Sequence, residues 1–300
     1  MDWDDLRFFL ALARSGSIRG AGAELGVSHT TVARRVDGLE EKLGARLFDR
    51  HRDGFVLTEA GHRLVPTAVR VEDEVAAAAR DLAGRDARLA GPVRVTCGDE
   101  VLAGLLFDAL AEWCQAHPEV DLQLVVDGRP FNLAKGEADV AVRVLARGAS
   151  PPEYLVGQRV APLVVASYGA REPALSLACP RWLGFPDARA LGELVRGSSY
   201  PDLPVWGSFS TLSLMVRAAA RGLGWAMLPT YVGDAEPALV RLPTPDLRHV
   251  ADLWLLHHPD LKANARVQAA RSALKACFSR NQARFDGRCM DAPGRFIDGP

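Results

Sequence analysis

Apolar residues recur at helical spacing from the start of the chain: Leu6, Phe9, Leu10 and Ala13 share one face, and Phe8 and Leu12 widen it. Ser15-Gly16-Ser17 interrupts the pattern, and Ser17 is placed to cap a second helix over Ile18 to Leu25. Gly26 suits a left-handed turn. Ser28 can then cap a third helix with Val32, Val36, Leu39 and Leu43 on its inner face. That leaves His29, Thr30, Thr31, Arg34 and Arg35 on other faces. Beyond Leu43-Gly44 the pattern changes to strand, turn, strand. Ala45 to Arg50 and Phe55 to Thr58 flank the turn His51-Arg52-Asp53-Gly54, a short hairpin carrying Arg50 and Arg52 beside the third helix.

Thr58 can cap a long helix bearing Ala60, Leu64, Ala68, Val71, Val75 and Leu82, in which Ala76 to Ala79 favours helix and Pro66 predicts a kink or a restart. Its apolar stripe is long for the little it has to cover. A second copy of the chain, or the core of the following domain, would bury it. From Gly91-Pro92 onward strands and helices alternate. Val93 to Cys97 is a strand, Gly98-Asp99-Glu100 a loop, and Leu102, Leu105, Leu106, Leu110 and Trp113 mark a helix ending at His117-Pro118-Glu119. A strand over Val120 to Val126, a helix around Asn132 to Gly136 and a strand over Ala138 to Val144 follow, which argues an α/β unit.

A second run opens at Leu163 to Ser167, after Pro162. Pro180 to Phe185 and Val205-Trp206 are further strands. A helix starts at Ser208-Phe209-Ser210-Thr211 and runs through Ala220, and Gly222 to Pro229 is a turn and buried strand. Leu253 to His257 is a late strand and Leu261 to Phe278 a last helix. Two α/β lobes joined by crossing strands would enclose a cleft where helix N-termini and strand ends converge on a small ligand. The segment 279–300, rich in Gly, Pro, Asp and Arg, is expected to be a mobile tail.

The 300 residues, 48% hydrophobic and 24% charged, suit two or three globular domains. A net charge of -1 argues against a chain that coats nucleic acid indiscriminately, yet leaves room for a local basic reader. The five cysteines Cys97, Cys114, Cys179, Cys277 and Cys289 are scattered, with neither zinc spacing nor a disulfide framework. The acidic N-terminus is no secretion signal, and no run of eighteen apolar residues predicts a membrane span. The expected location is cytoplasmic, with no metal and no cofactor.

The start of the third helix carries the clearest chemistry. Hydroxyls and an imidazole there can approach base edges, and arginine binds phosphate or guanine. The candidate contacts to double-stranded DNA are Ser28, His29, Thr30, Thr31, Arg34 and Arg35, with Arg50 and Arg52 of the hairpin on phosphate or in the minor groove. Asp37, Glu40 and Glu41 confine that role to one end of the helix. No nucleophile elbow, Walker loop, HExxH helix or Rossmann fingerprint occurs, and His257 and His258 are adjacent and so face opposite sides of a strand. No catalytic residue is assigned.

Leu6-Arg7-Phe8-Phe9, Gly16-Ser17, Ala21, Leu25-Gly26-Val27-Ser28, Val32, Leu39-Glu40, Leu43-Gly44, Leu47-Phe48-Asp49-Arg50 and Leu57-Thr58-Glu59-Ala60-Gly61 together resemble, in unbroken spacing, the N-terminal domain of LysR-type transcriptional regulators. Gly136-Glu137-Ala138-Asp139-Val140-Ala141 and Arg221-Gly222-Leu223-Gly224-Trp225-Ala226-Met227-Leu228-Pro229 resemble their co-inducer domain. The resemblance implies an all-α winged helix-turn-helix head over 1–60, a linker and dimerisation helix over 59–89, and a two-lobed α/β effector domain over 92–278, itself similar to periplasmic solute-binding proteins. It also implies a third helix in the major groove, a homotetramer built as two dimers, contact with RNA polymerase, and an unknown small-molecule effector.

Members usually carry Gln-Pro or a similar pair after the helix-start serine, and often a serine before the arginine turn. His29-Thr30 and Ala33 depart from that, so base preference does not transfer. Gly98-Asp99-Glu100 matches the family's pocket loop, where relatives offer Ser or Thr. Either carboxylate, if it faces the cleft, would disfavour an anionic effector unless Arg129 or Arg143 compensates. Arg143 could bind a carboxylate or make a surface salt bridge. Ser208, Ser210 and Thr211 could bind ligand or simply cap their helix. Cys97 is either a redox switch or a small buried apolar residue. The alternative to effector control is a ligand-independent repressor or architectural protein, and effector-dependent DNA affinity would separate the two.

Overall fold

A computed structural model of the chain describes residues 2–51, 54–84, 88–128, 133, 136–172, 180–243 and 246–288, the side chains at 80, 81, 83 and 84 excepted. They form two compact units, Met1–Leu82 and Ala83–Pro300.

The first unit is built from α1 (Trp3–Ser15), α2 (Ile18–Leu25), α3 (His29–Leu43), the hairpin β1 (Phe48–His51) and β2 (Gly54–Leu57), and most of α4 (Glu59–Gly84). Local chemistry sets the helix ends. Asp2 and Asp5 form a reciprocal capping box on α1, Ser17 accepts the Gly20 N–H, and Ser28 accepts that of Thr31. Each helix stops at a left-handed glycine, Gly16, Gly26 or Gly44, with φ of 64°, 67° and 61°. The core joins Phe9, Leu12, Ala21, Val32, Leu39, Leu47 and Phe48. Leu43, expected on the inner face, is exposed, because the buried stripe of α3 ends at Leu39.

The hairpin is stitched to the helices. Phe55 N–H donates to Gly16 O at 2.9 Å, and Glu40 Oε1 accepts the N–H groups of Leu47 (2.7 Å) and Phe48 (3.1 Å). Thr58 accepts the Gly61 N–H at 3.1 Å and so caps α4. That helix runs through Pro66 as one element of 26 residues rather than restarting. It also covers more of its own domain than the pattern suggested. Ala68 is fully buried and Leu64, Val65, Val69 and Val71 pack against the core, whereas Val75 and Leu82 stand exposed.

The second unit runs β3 (Gly91–Cys97), α5 (Glu100–Ala116), β4 (Val120–Val126), β5 (Val140–Ala146), β6 (Val156–Ala170), β7 (Trp182–Leu183), α6 (Ala188–Arg196), β8 (Val205–Trp206), α7 (Leu212–Ala220), β9 (Ala226–Pro229), α8 (Thr230–Gly233), β10 (Leu239–Arg241), β11 (Arg248–His257), α9 (Ala265–Arg280) and α10 (Gln282–Phe285). One mixed sheet has the order β10-β6-β11-β5-β3-β4, with β9 also paired to β6. β3 is parallel to β4 and β5, while β6 and β11 run antiparallel to their neighbours. The first lobe packs α5 and α9 on β3 and β5, and the second packs α7 on β6 and β9. β6 and β11 cross between the lobes.

Several expectations change here. β6 starts at Val156, so Pro162 lies inside a strand rather than before one; it pairs with Asp252, between register shifts at His249/Ala251 and Leu253/Trp254. Irregular pairing there accommodates a residue without an N–H. β11 starts at Arg248 rather than Leu253, Pro180 to Phe185 contributes only the two-residue β7, and α6 was not anticipated. The helix around Asn132 to Gly136 falls largely outside the described residues. The tail expected from Ser279 is packed well past that point. Phe285 is fully buried, its ring 5.1 Å from those of Tyr231 and Phe278, and Thr230 Oγ1 donates to Arg284 O at 2.7 Å. Among the described residues no helix is long and apolar enough to cross a membrane, and no group of three or more His, Cys, Asp or Glu side chains is placed to hold a metal.

Candidate nucleic-acid interface and effector cleft

α3 buries Val32, Val36 and Leu39, and its other faces carry the polar start of the helix. Ser28, His29, Thr30 and Arg34 are exposed, and Thr31 and Arg35 half-buried. Ser28 Oγ accepts the Thr31 N–H at 3.2 Å and lies 2.8 Å from Thr30 Oγ1 and 2.9 Å from Thr31 Oγ1. Three hydroxyls are thus gathered on the first turn, where unpaired N–H groups and the helix dipole favour phosphate. Thr30 and Arg34, four residues apart, share one side of the helix. Arg34 makes no hydrogen bond or ion pair among the described residues.

The other arginines are differently placed. Arg35 turns back onto α1, pairing with Asp4 at 3.0 Å and Asp5 at 3.6 Å, its guanidinium 5.6 Å from the centre of the Phe8 ring. Arg50 pairs with Asp37 and lies over Phe55, yet stays more than half exposed. Arg52 lies outside the described residues. Asp5, buried beneath this cluster, also accepts from Lys42 Nζ at 2.7 Å. That hydrogen bond holds its carboxyl below the usual aspartate range against the effect of burial.

In the second unit the N-termini of α5 and α7 meet. Asp99 caps α5 through the Leu102 N–H at 2.7 Å, and its other oxygen accepts from the Tyr231 hydroxyl at 3.1 Å. Burial pushes the Asp99 carboxyl up, opposed by those two hydrogen bonds. Glu100 Oε1 accepts the Ser213 backbone N–H at 3.0 Å. Thr211 caps α7 through the Leu214 N–H at 3.3 Å, so the helix expected from Ser208 begins at Leu212. Ser208 and Ser210 lie in the exposed approach to that cap, without hydrogen bonds among the described residues.

Arg143, half-buried on β5 beside the end of β3, donates to Thr96 Oγ1 at 2.8 Å and Val142 O at 2.9 Å. Burial draws its pKa down, with Cys97 and Asp127 pulling the other way. An added Cβ at Gly98 would meet nothing within 4 Å, so no steric need keeps it glycine. Cys97 is fully buried and its thiol is pushed up to about 11, mainly by burial. A thiol that stays protonated at neutral pH is a poor redox nucleophile. Arg129 lies outside the described residues. Sequence reasoning missed Thr96, Ser213 and Tyr231. All three partner the expected residues from distant parts of the chain.

Two family models match the chain. Residues 3–62 fit the bacterial regulatory helix-turn-helix protein of the lysR family, and residues 86–278 fit the LysR substrate binding domain, which alone spans more than half of the chain. The chain belongs to the LysR family. Among its relatives is the Mau operon transcriptional activator of Paracoccus denitrificans, 31% identical over 269 residues, covering 87% of this chain and 91% of that protein. Another is the HTH-type transcriptional regulator CrgA of Neisseria meningitidis, 26% identical over 281 residues, covering 88% and 93%. The full-length structure of the Vibrio cholerae virulence activator AphB shares the fold, with a TM-score of 0.60 at 18% identity, covering 92% of this chain and 99% of that one. As a LysR-type protein, the chain is a DNA-binding transcriptional regulator with an effector-binding domain.

Proposed function

We propose that this regulator reads duplex DNA with Ser28, His29, Thr30, Thr31 and Arg34 at the start of α3, while Arg50 and Arg52 of the wing hold neighbouring phosphates. Arg35 takes a different part, fixing α3 against α1 through Asp4 and Asp5. The observation that carries this reading is the division of α3 itself. Val32, Val36 and Leu39 on its inner face are buried, its capped first turn carries the exposed Ser28, His29 and Thr30, and Arg34 projects beyond them without a partner among the described residues.

The exposed stripe of α4 at Val75 and Leu82 supports pairing with a second copy. Paired heads would match an inverted-repeat site, and two such dimers would make the tetramer. Effector binding acts by favouring one arrangement of the two sensor lobes, which requires different affinity for the two states. The change would reach the heads and contact with RNA polymerase, in the cytoplasm and without catalysis by this chain. Selecting bound fragments from the source genome, then screening metabolites of the neighbouring genes for altered affinity, tests the reading. Recovery of a shared inverted repeat whose affinity moves with one metabolite is the expected result. Random recovery of fragments would overturn it.

A further inference from the structure

Two consecutive carboxylates stand where α5 begins, and they do different work. Asp99 caps its own helix, whereas Glu100 reaches across to α7, 113 positions along the chain. The first turn of α7 has N–H groups that its own helix cannot pair. The Thr211 hydroxyl takes the one from Leu214, and Glu100 takes the one from Ser213. The hydroxyls of Ser213 and Thr211 add to this by drawing the Glu100 pKa down. Burial alone would raise the Glu100 pKa; the Ser213 N–H and these hydroxyls outweigh it and hold it below the ordinary glutamate value. Beside it, Asp99 binds the hydroxyl of the buried Tyr231 on α8. The start of α5 is therefore bonded to both α7 and α8.

We propose that Glu100 is a tethered anion that fills the N-terminal end of α7, joining α5 to α7 and closing that end of the cleft to carboxylate and phosphate ligands. The carboxylate is already in place, so a free anion must displace a group held at high local concentration by its own backbone. It would also bring a second negative charge beside Asp99. Ligands neutral or cationic at that end carry neither penalty. This inference rests on reading the domain as an effector cleft.

Substitution leaves a vacancy that a small anion can refill. Thermal unfolding of the full-length protein is followed by tryptophan fluorescence, since five of the six tryptophans (Trp113, Trp182, Trp206, Trp225 and Trp254) lie in the sensor. Glu100→Ala should lower the sensor midpoint by about 3 °C. Sodium acetate should restore it saturably, whereas sodium chloride at equal ionic strength should not, and acetate should leave the wild type unmoved. Glu100→Gln, of the same shape without the charge, should melt below wild type and ignore acetate. An alanine variant that melts with wild type, that acetate does not raise, or that acetate raises no more than it raises wild type overturns the proposal. If the alanine variant does not fold, a glutamine variant with the wild-type midpoint overturns it alone. No DNA enters the measurement, so its failure leaves the assigned reading face standing, and failure of DNA binding leaves this result intact.

Discussion

Arg34 and Arg35 are neighbours in sequence, but among the described residues only Arg35 has a carboxylate partner. Arg35 is spent on Asp4 and Asp5, while Arg34 projects from α3 without an ion pair among the described residues. Arg34→Ala should therefore weaken binding to a specific duplex about tenfold or more and leave the melting of the head unchanged. Arg35→Ala should lower that melting point. Equal effects of the two on both readouts would contradict the distinction. Asp5 offers a pH test. Its folded pKa is depressed by Lys42, so its contribution is present above the unfolded aspartate value and is lost as pH falls through the folded one. Asp5→Asn should destabilise the head at pH 7, and calorimetry should find the gap closing in acid; a gap that widens there refutes the assignment. Caps such as Ser17 and Ser28 were legible because a cap is a local matter. The partners of Arg35 and Glu100 were not, since those contacts join residues 31 and 113 positions apart.

Elements with a strong repeating pattern were the ones read correctly. α1, α2 and α3 each show an apolar face between a capping residue and a glycine, and they lie where the pattern put them. α6 was missed because it is short, contains Gly192, and buries only Leu191 and Val195. β6 was cut short because proline argues against a strand, and the irregular pairing that tolerates Pro162 is a property of β11 rather than of the local sequence. The C-terminal boundary was lost for a similar reason. A lone Phe285 among glycine and charge carries no periodicity, yet it is fully buried between Tyr231 and Phe278. Phe285→Ala should cost the sensor about 3–5 kcal/mol, read by chemical denaturation. A loss below about 1 kcal/mol would place this segment outside the cooperative fold.

At the scale of the molecule, a head that reads DNA and a sensor that binds a small molecule are joined by a helix whose far end, at Val75 and Leu82, presents apolar surface. The division into two kinds of domain was legible from the change of period, from helical spacing in the head to alternating strands and helices after Gly91. The closure at the α5–α7 junction was not, because either carboxylate could equally have faced solvent. The central claim is that the outward face of α3 recognises a particular base sequence. It is tested most directly by equilibrium binding of the full-length protein to a selected genomic fragment and to a scrambled duplex of equal length, across a salt series. The expected result is about a thousandfold or greater preference for the selected fragment at physiological salt, with affinity for both duplexes falling as salt rises. Equal affinity for the two duplexes, or no binding to either at low ionic strength, would contradict it.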